Sequence, residues 1–119
     1  MAANGGRVRA DHVRRLLAAE GLSAIGWENV AGDRYAAHEH GYDKVLVTLH
    51  GSIRYVLGGD AGEVELRPGD RLHLPAGTVH TAIVGPDGVG CLEAHVPAGT
   101  LGAAPQRIPG WARSRRLAS

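Results

Sequence analysis

Two histidines two residues apart, His38 and His40, stand just before the apolar run Val45-Leu46-Val47-Thr48-Leu49, which ends at His50-Gly51. On a strand, side chains alternate between faces, so the two imidazoles point the same way. A pair of neutral imidazoles on one face is a ready set of metal ligands. A third histidine, His80, closes the downstream stretch Gly69-Asp70-Arg71-Leu72-His73-Leu74-Pro75-Ala76-Gly77-Thr78-Val79. The chemistry these residue types support is one divalent ion held by His38, His40 and His80 inside a small β-barrel. Three neutral ligands leave the ion its full charge and open positions for water or substrate. That suits Lewis-acid work on anionic or enolate-type molecules.

The elements that must position these groups are short strands. From Leu22 onward, apolar runs alternate with turn residues: Ser23–Val30, Arg34–Glu39, Lys44–Leu49, Ser52–Leu57, Glu63–Leu66, Arg71–Leu74, Thr81–Val84 and Gly90–Val96. Gly, Pro, Asn and Asp clusters punctuate them, among them Gly58-Gly59-Asp60 and Gly85-Pro86-Asp87-Gly88. Many short strands at near-regular spacing predict an antiparallel sandwich or barrel. One helix precedes them, from His12 to about Glu20, with Asp11 as its cap, Val13, Leu16 and Leu17 as its apolar stripe, and Gly21 as its stop. The domain reading is a loose leader over 1–9, a barrel with its helix over 10–96, and a basic tail over 97–119.

At 119 residues the chain holds one core. Phe is absent, so Val, Leu, Ile and Ala must build it. A net charge of +1 gives no field that argues for nucleic acid or a membrane surface. Acidic residues stop at Glu93, whereas Arg107, Arg113, Arg115 and Arg116 follow; that tail is expected to be solvated, with Trp111 as its packing anchor. Cys91 is the single cysteine, which excludes an intrachain disulfide. No apolar leader or long apolar run is present, so a cytoplasmic location is expected. The run Val45–Leu49 is apolar on both faces. One face lines the core, and the other needs cover from the N-terminal helix or from a second subunit, so a homodimer is expected.

Two stretches resemble the two motifs of the cupin superfamily. The first motif reads His-x-His, a Glu three or four residues later, and a Gly after six more; His38, His40 and Gly51 fall in register. The second reads Gly, five residues, Pro-x-Gly, two residues, His, three residues, Asn; Gly69, Pro75, Gly77 and His80 match. The resemblance covers about residues 30–96. It implies an all-β antiparallel jelly-roll β-barrel (double-stranded β-helix) of six to eight strands. It also implies a central divalent metal ion, with Mn, Fe, Ni, Cu, Zn or Co as candidates, and it fixes no activity. The family's fourth ligand, Glu, is Lys44 here, and the final Asn is Val84. An ammonium is not a ligand.

Lys44 has three readings: solvated outside, buried against a carboxylate such as Glu93 or Glu39, or turned to a substrate carboxylate as anion holder or base. Glu93, on the closing strand, either faces inward as a ligand or base, or lies on the surface. Cys91 and His95 share its face by alternation. Cys91 reads as a small buried hydrophobe. His50 and His73 read as surface or pocket-mouth residues, and Tyr42 and Tyr55 as packing residues with hydroxyls available to a ligand.

Two functions are carried forward. One is a metal-dependent enzyme of dioxygenase, isomerase or lyase type, acting on a small polar or carboxylate-bearing molecule, with Lys44 and Glu93 as catalytic candidates. The other is a non-catalytic small-molecule-binding or regulatory cupin that has lost its metal to the Lys44 replacement. A purely structural module gives no reason for His38 beside His40.

Overall fold

Alternation along one strand decides the architecture. Val45 and Val47 are fully buried on one side of the sheet, and Leu46 is fully buried on the other. The computed structural model describes residues 6–58 and 62–114. It contains one helix, α1 (Ala10–Ala18), and seven strands: β1 (Ile25–Asn29), β2 (Arg34–His38), β3 (Asp43–Leu57), β4 (Gly62–Leu66), β5 (Arg71–Leu74), β6 (His80–Val96) and β7 (Gln106–Ile108).

All strand pairs are antiparallel. β3 and β6 are long central strands that each serve two layers. The first part of β6 pairs with β2, and its last part pairs with β1. The first part of β3 pairs with β5, and its last part with β4. The two long strands shift register together between Thr48 and Ile53, where the sheet bends. The result is a jelly-roll of two facing layers, with an open hydrogen-bonded path in the order β1-β6-β3-β5-β7. Gly51 sits in this bend at φ +70°, and a Cβ there would run into the Gly88 carbonyl oxygen, so only glycine fits. The motif glycine is therefore a requirement of the bend, not of chemistry.

Leu46, Ile53, Tyr55, Leu66, Leu72, Val84 and Cys91 form the core between the layers. Val13, Leu16, Leu17, Val45, Val47, Leu92, Trp111 and Ala112 form a second core outside one layer. The helix and the C-terminal segment thus cover the second apolar face of β3. Cover from within the chain removes the reason for a second subunit on this face.

Several sequence expectations shift. The two pairs of short strands, Lys44–Leu49 with Ser52–Leu57 and Thr81–Val84 with Gly90–Val96, are the continuous β3 and β6. Their glycines bend the ladder without breaking it. The helix starts at Ala10, and Arg9 occupies the cap position with no side-chain capping bond; Asp11 lies in the first turn. Val8 N–H donates to Leu49 O at 2.8 Å, so the leader is tied to the sheet from that point, while residues 1–5 lie outside the described set.

The tail is also held down as far as 114. β7 pairs with β5, and Trp111 is buried. Two buried carboxylates fasten the segment: Asp43 accepts from Leu101 N–H at 2.8 Å, and Asp70 accepts from Gly110 N–H at 2.7 Å and Arg107 at 3.1 Å. Arg113 donates to the Pro68 carbonyl. Arg115 and Arg116 lie outside the described residues. Among the described residues, no helix is long and apolar enough to cross a membrane.

Candidate metal centre

His38 ends β2 and His80 opens β6, and the antiparallel ladder makes them Cα partners. The turn Pro75–Thr78, with Gly77 at φ +80°, delivers the chain to His80. Gly77 N–H donates to the His40 carbonyl at 2.9 Å, which locks the second-motif turn to the first motif. The ring centroids stand 4.2 Å apart for His38–His80, 4.9 Å for His38–His40 and 5.4 Å for His40–His80. One ligand-capable atom from each ring lies within 4.8 Å of the others.

Backbone carbonyls fix two of the rings. His38 Nδ1 pairs with Ala36 O at 2.7 Å, and His80 Nδ1 with Thr78 O at 2.9 Å. A carbonyl only accepts, so the proton sits on Nδ1 and the lone pair is left on Nε2. Burial lowers the His80 pKa, and the neighbouring His38 and Lys44 lower it further against the Thr78 carbonyl. Burial, then Lys44, His38 and His80, lower that of His40. Both shifts favour the neutral, ligating form.

Lys44 points inward. Its Nζ is 3.3 Å from His40 Nε2 and 3.4 Å from Glu93 Oε1. Glu93 also faces in and is closely held: Trp27 Nε1 donates to Oε1 at 2.9 Å, and His95 Nε2 meets Oε2 at 2.5 Å. Burial works to raise the Glu93 pKa, but the His95 hydrogen bond, the Lys44 charge and the Trp27 hydrogen bond outweigh it and leave it lowered, so the carboxylate is ionised. Tyr42 stacks between His40 and His95, at 5.0 and 4.0 Å, and its hydroxyl lies 3.2 Å from His40 Nδ1.

A cavity of about 360 Å³ opens onto this cluster. His38, His80, Lys44 and Glu93 form its polar wall, and Trp27, Tyr35 and Tyr55 its aromatic wall; Glu28 and Asn29 complete the lining. Tyr35 donates its hydroxyl to Asn29 Oδ1. Burial raises the Tyr55 pKa well above that of a free phenol, so its hydroxyl stays protonated.

No family model matches the chain. It is 34% identical over 77 residues to quercetin 2,3-dioxygenase of Bacillus subtilis (strain 168), across 60% of this chain and 22% of that protein. Its fold is similar to solved structures of oxalate decarboxylase from Bacillus subtilis. For one variant the TM-score is 0.57 at 18% identity, covering 66% of this chain and 22% of the other. For a second structure, described by its Mn(II) centres, the TM-score is 0.57 at 19% identity, covering 65% and 21%. These likenesses support a cupin assignment for the chain. It spans about a fifth of the length of the relatives it matches.

The three imidazoles suit a divalent ion as donors. Three nitrogens bonded to one ion at about 2.1 Å average no more than about 3.6 Å apart, so the three rings, whose nitrogens lie within 4.8 Å of one another, would close in around it. The other candidates fall elsewhere. His50 lies 3.7 Å from Glu28, away from the imidazole cluster. His73 Nε2 accepts from Arg71 Nε at 2.8 Å. Cys91 is buried beside Thr48 Oγ1, and burial pushes its thiol up to about 12, which leaves it unreactive. Glu39 stays off the cavity wall, so Glu93 is the carboxylate of Lys44.

Sequence reasoning missed Trp27, Tyr35 and Asn29. Their one signal was aromatic and polar residues on two strands that flank the first motif. Which face they present depends on pairing with β6, and the sequence does not show that.

Proposed function

We propose that this cupin binds one divalent metal ion through His38, His40 and His80 and acts on a small molecule bearing a carboxylate or comparable anionic oxygen. The observation that carries this reading is the pair of free Nε2 lone pairs on His38 and His80, set beside His40 at the cavity wall. Mn, Fe, Ni, Cu, Zn and Co all accept imidazole nitrogen. When bound, the ion supplies Lewis-acid polarisation of an anionic oxygen.

The chain's own residues do the rest. An ammonium has three donors, and Lys44, ion-paired with Glu93 at 3.4 Å, has donors to spare for a ligand anion. Glu93, ionised and anchored by Trp27 and His95, is placed to take a proton from a ligand between the two walls. Trp27, Tyr35 and Tyr55 give a planar group an apolar seat. The volume admits a small molecule only. A dioxygenase or lyase reaction agrees with the names of the relatives, quercetin 2,3-dioxygenase and oxalate decarboxylase.

A second reading, a cupin that binds a small molecule without metal or chemistry, is favoured by one contact: Lys44 on His40 Nε2, the nitrogen an ion needs. Elemental analysis of protein purified without chelator separates the two. Stoichiometric transition metal, lost on His80→Ala, supports the first. A folded, metal-free protein that also takes up no added metal refutes it. An oxygen-uptake screen with small carboxylates and enolisable ketones then tests the dioxygenase branch.

A further inference from the structure

Lys44 stands at the motif position of the family's carboxylate, and its side chain ends on a ligand candidate. Nζ lies 3.3 Å from His40 Nε2, and the side chain is only 11% exposed. An ammonium carries no lone pair, so it donates and His40 Nε2 accepts. The His40 proton then sits on Nδ1, with the Tyr42 hydroxyl as acceptor at 3.2 Å. A metal ion needs that same Nε2 lone pair. One lone pair serves one partner, so ammonium and ion exclude each other at His40.

The other two rings are under no such claim. Carbonyls engage Nδ1 of His38 and His80, and among the described residues neither Nε2 has a hydrogen-bond partner. Lys44 also has somewhere to go, because Glu93 Oε1 is already 3.4 Å from Nζ. A shift of the ammonium toward Glu93 frees His40 without stranding a buried charge.

We propose that Lys44 is an intramolecular competitor for the metal, holding His40 until an ion displaces it onto Glu93. This rests on the three-His reading above. His38 and His80 take the ion first, His40 completes the set last, and the ion exchanges more readily than in a centre with a carboxylate at position 44. The displaced ammonium is then the cation that meets a ligand anion beside the ion.

The test is a titration of the full chain with zinc against a chromophoric chelator, for wild type, Lys44→Met, Lys44→Gln, Lys44→Glu and His80→Ala. Removing the ammonium that holds His40 should tighten zinc binding at least about tenfold in Lys44→Met, which has no donor at all, and also in Lys44→Gln, which keeps only a neutral one, the scale of a charged hydrogen bond. Lys44→Glu should bind tighter still. Equal or weaker binding by Lys44→Met and Lys44→Gln, with binding still lost in His80→Ala, overturns the competition and leaves the three-His reading standing. No zinc on any folded variant overturns both.

If the Lys44 variants do not fold, as judged by circular dichroism, nuclear magnetic resonance of the wild-type chain decides. Zinc must move the Lys44 Nζ resonance together with the His40 ring signals. An unmoved Lys44 resonance refutes the proposal.

Discussion

Trp27 Nε1 donates to Glu93 Oε1 at 2.9 Å, diagonally across the β1–β6 ladder. The indole thereby fixes a carboxylate and presents its ring to the cavity. Trp111, the second tryptophan, is buried in the outer core beneath Arg71, whose guanidinium lies 4.6 Å from its centroid. A ligand entering the cavity should therefore change the emission of Trp27 alone. Titration with small aromatic carboxylates should quench fluorescence in wild type and Trp111→Phe, and leave Trp27→Phe silent. A response that survives Trp27→Phe places the ligand elsewhere.

Arg71 ties three elements together. Its Nη1 and Nη2 donate to Glu20 at 2.8 and 2.9 Å, past the end of α1, while Nε donates to His73 and the plane covers Trp111. The Arg71 side chain is 6% exposed and that of Glu20 is 43% exposed. Loss of either partner therefore has unequal consequences. Glu20 can turn to water when Arg71 is replaced, whereas Arg71 stays buried with its charge uncompensated when Glu20 is lost. Urea unfolding should show a loss of about 2 kcal/mol for Glu20→Ala, below the full cost of breaking a buried pair because water screens the Glu20 side. Neutral Arg71→Met should cost less.

Asp43 is fully buried and holds two segments at once. Its carboxylate accepts from Ala76 N–H at 2.7 Å and from Leu101 N–H at 2.8 Å. Those amides, Leu101 first and Ala76 next, keep its pKa below the ordinary 3.8. A depressed carboxyl contributes its full stability above the unfolded value and loses it as pH falls through the folded one. Melting temperature should therefore drop as pH falls from about 5 to about 3. Asp43→Asn should melt lower near neutrality and show a shallower acid limb. An unchanged limb would assign the acid sensitivity to other carboxylates.

Much of this site was legible in the chain. His38, His40 and His80 were readable because alternation sets a common face and because two spaced motifs resemble a family. The all-β class followed from turn residues at regular intervals. The merger of four short strands into β3 and β6 was not readable, because glycine marks a bend and a break alike. The chain's own cover for Val45 and Val47 was hidden for a similar reason: Trp111 and Ala112 lie more than sixty residues away, and nothing local pairs them with that face.

What the sequence determined by itself is the set of chemical groups: three imidazoles, one ammonium in place of a carboxylate, and one acidic residue on the closing strand. Tertiary structure alone decided their relations. Lys44 had three open readings because side-chain direction near a turn depends on backbone register, and register is set by strands distant in sequence. The pairing of β3 and β6 fixed it, bringing Lys44, His40 and Glu93 within hydrogen-bonding or ion-pair range. The pairing of β1 with β6 placed Trp27 on that carboxylate. Local sequence carries periodicity, but long-range partners carry position, and here position decides what the ammonium does.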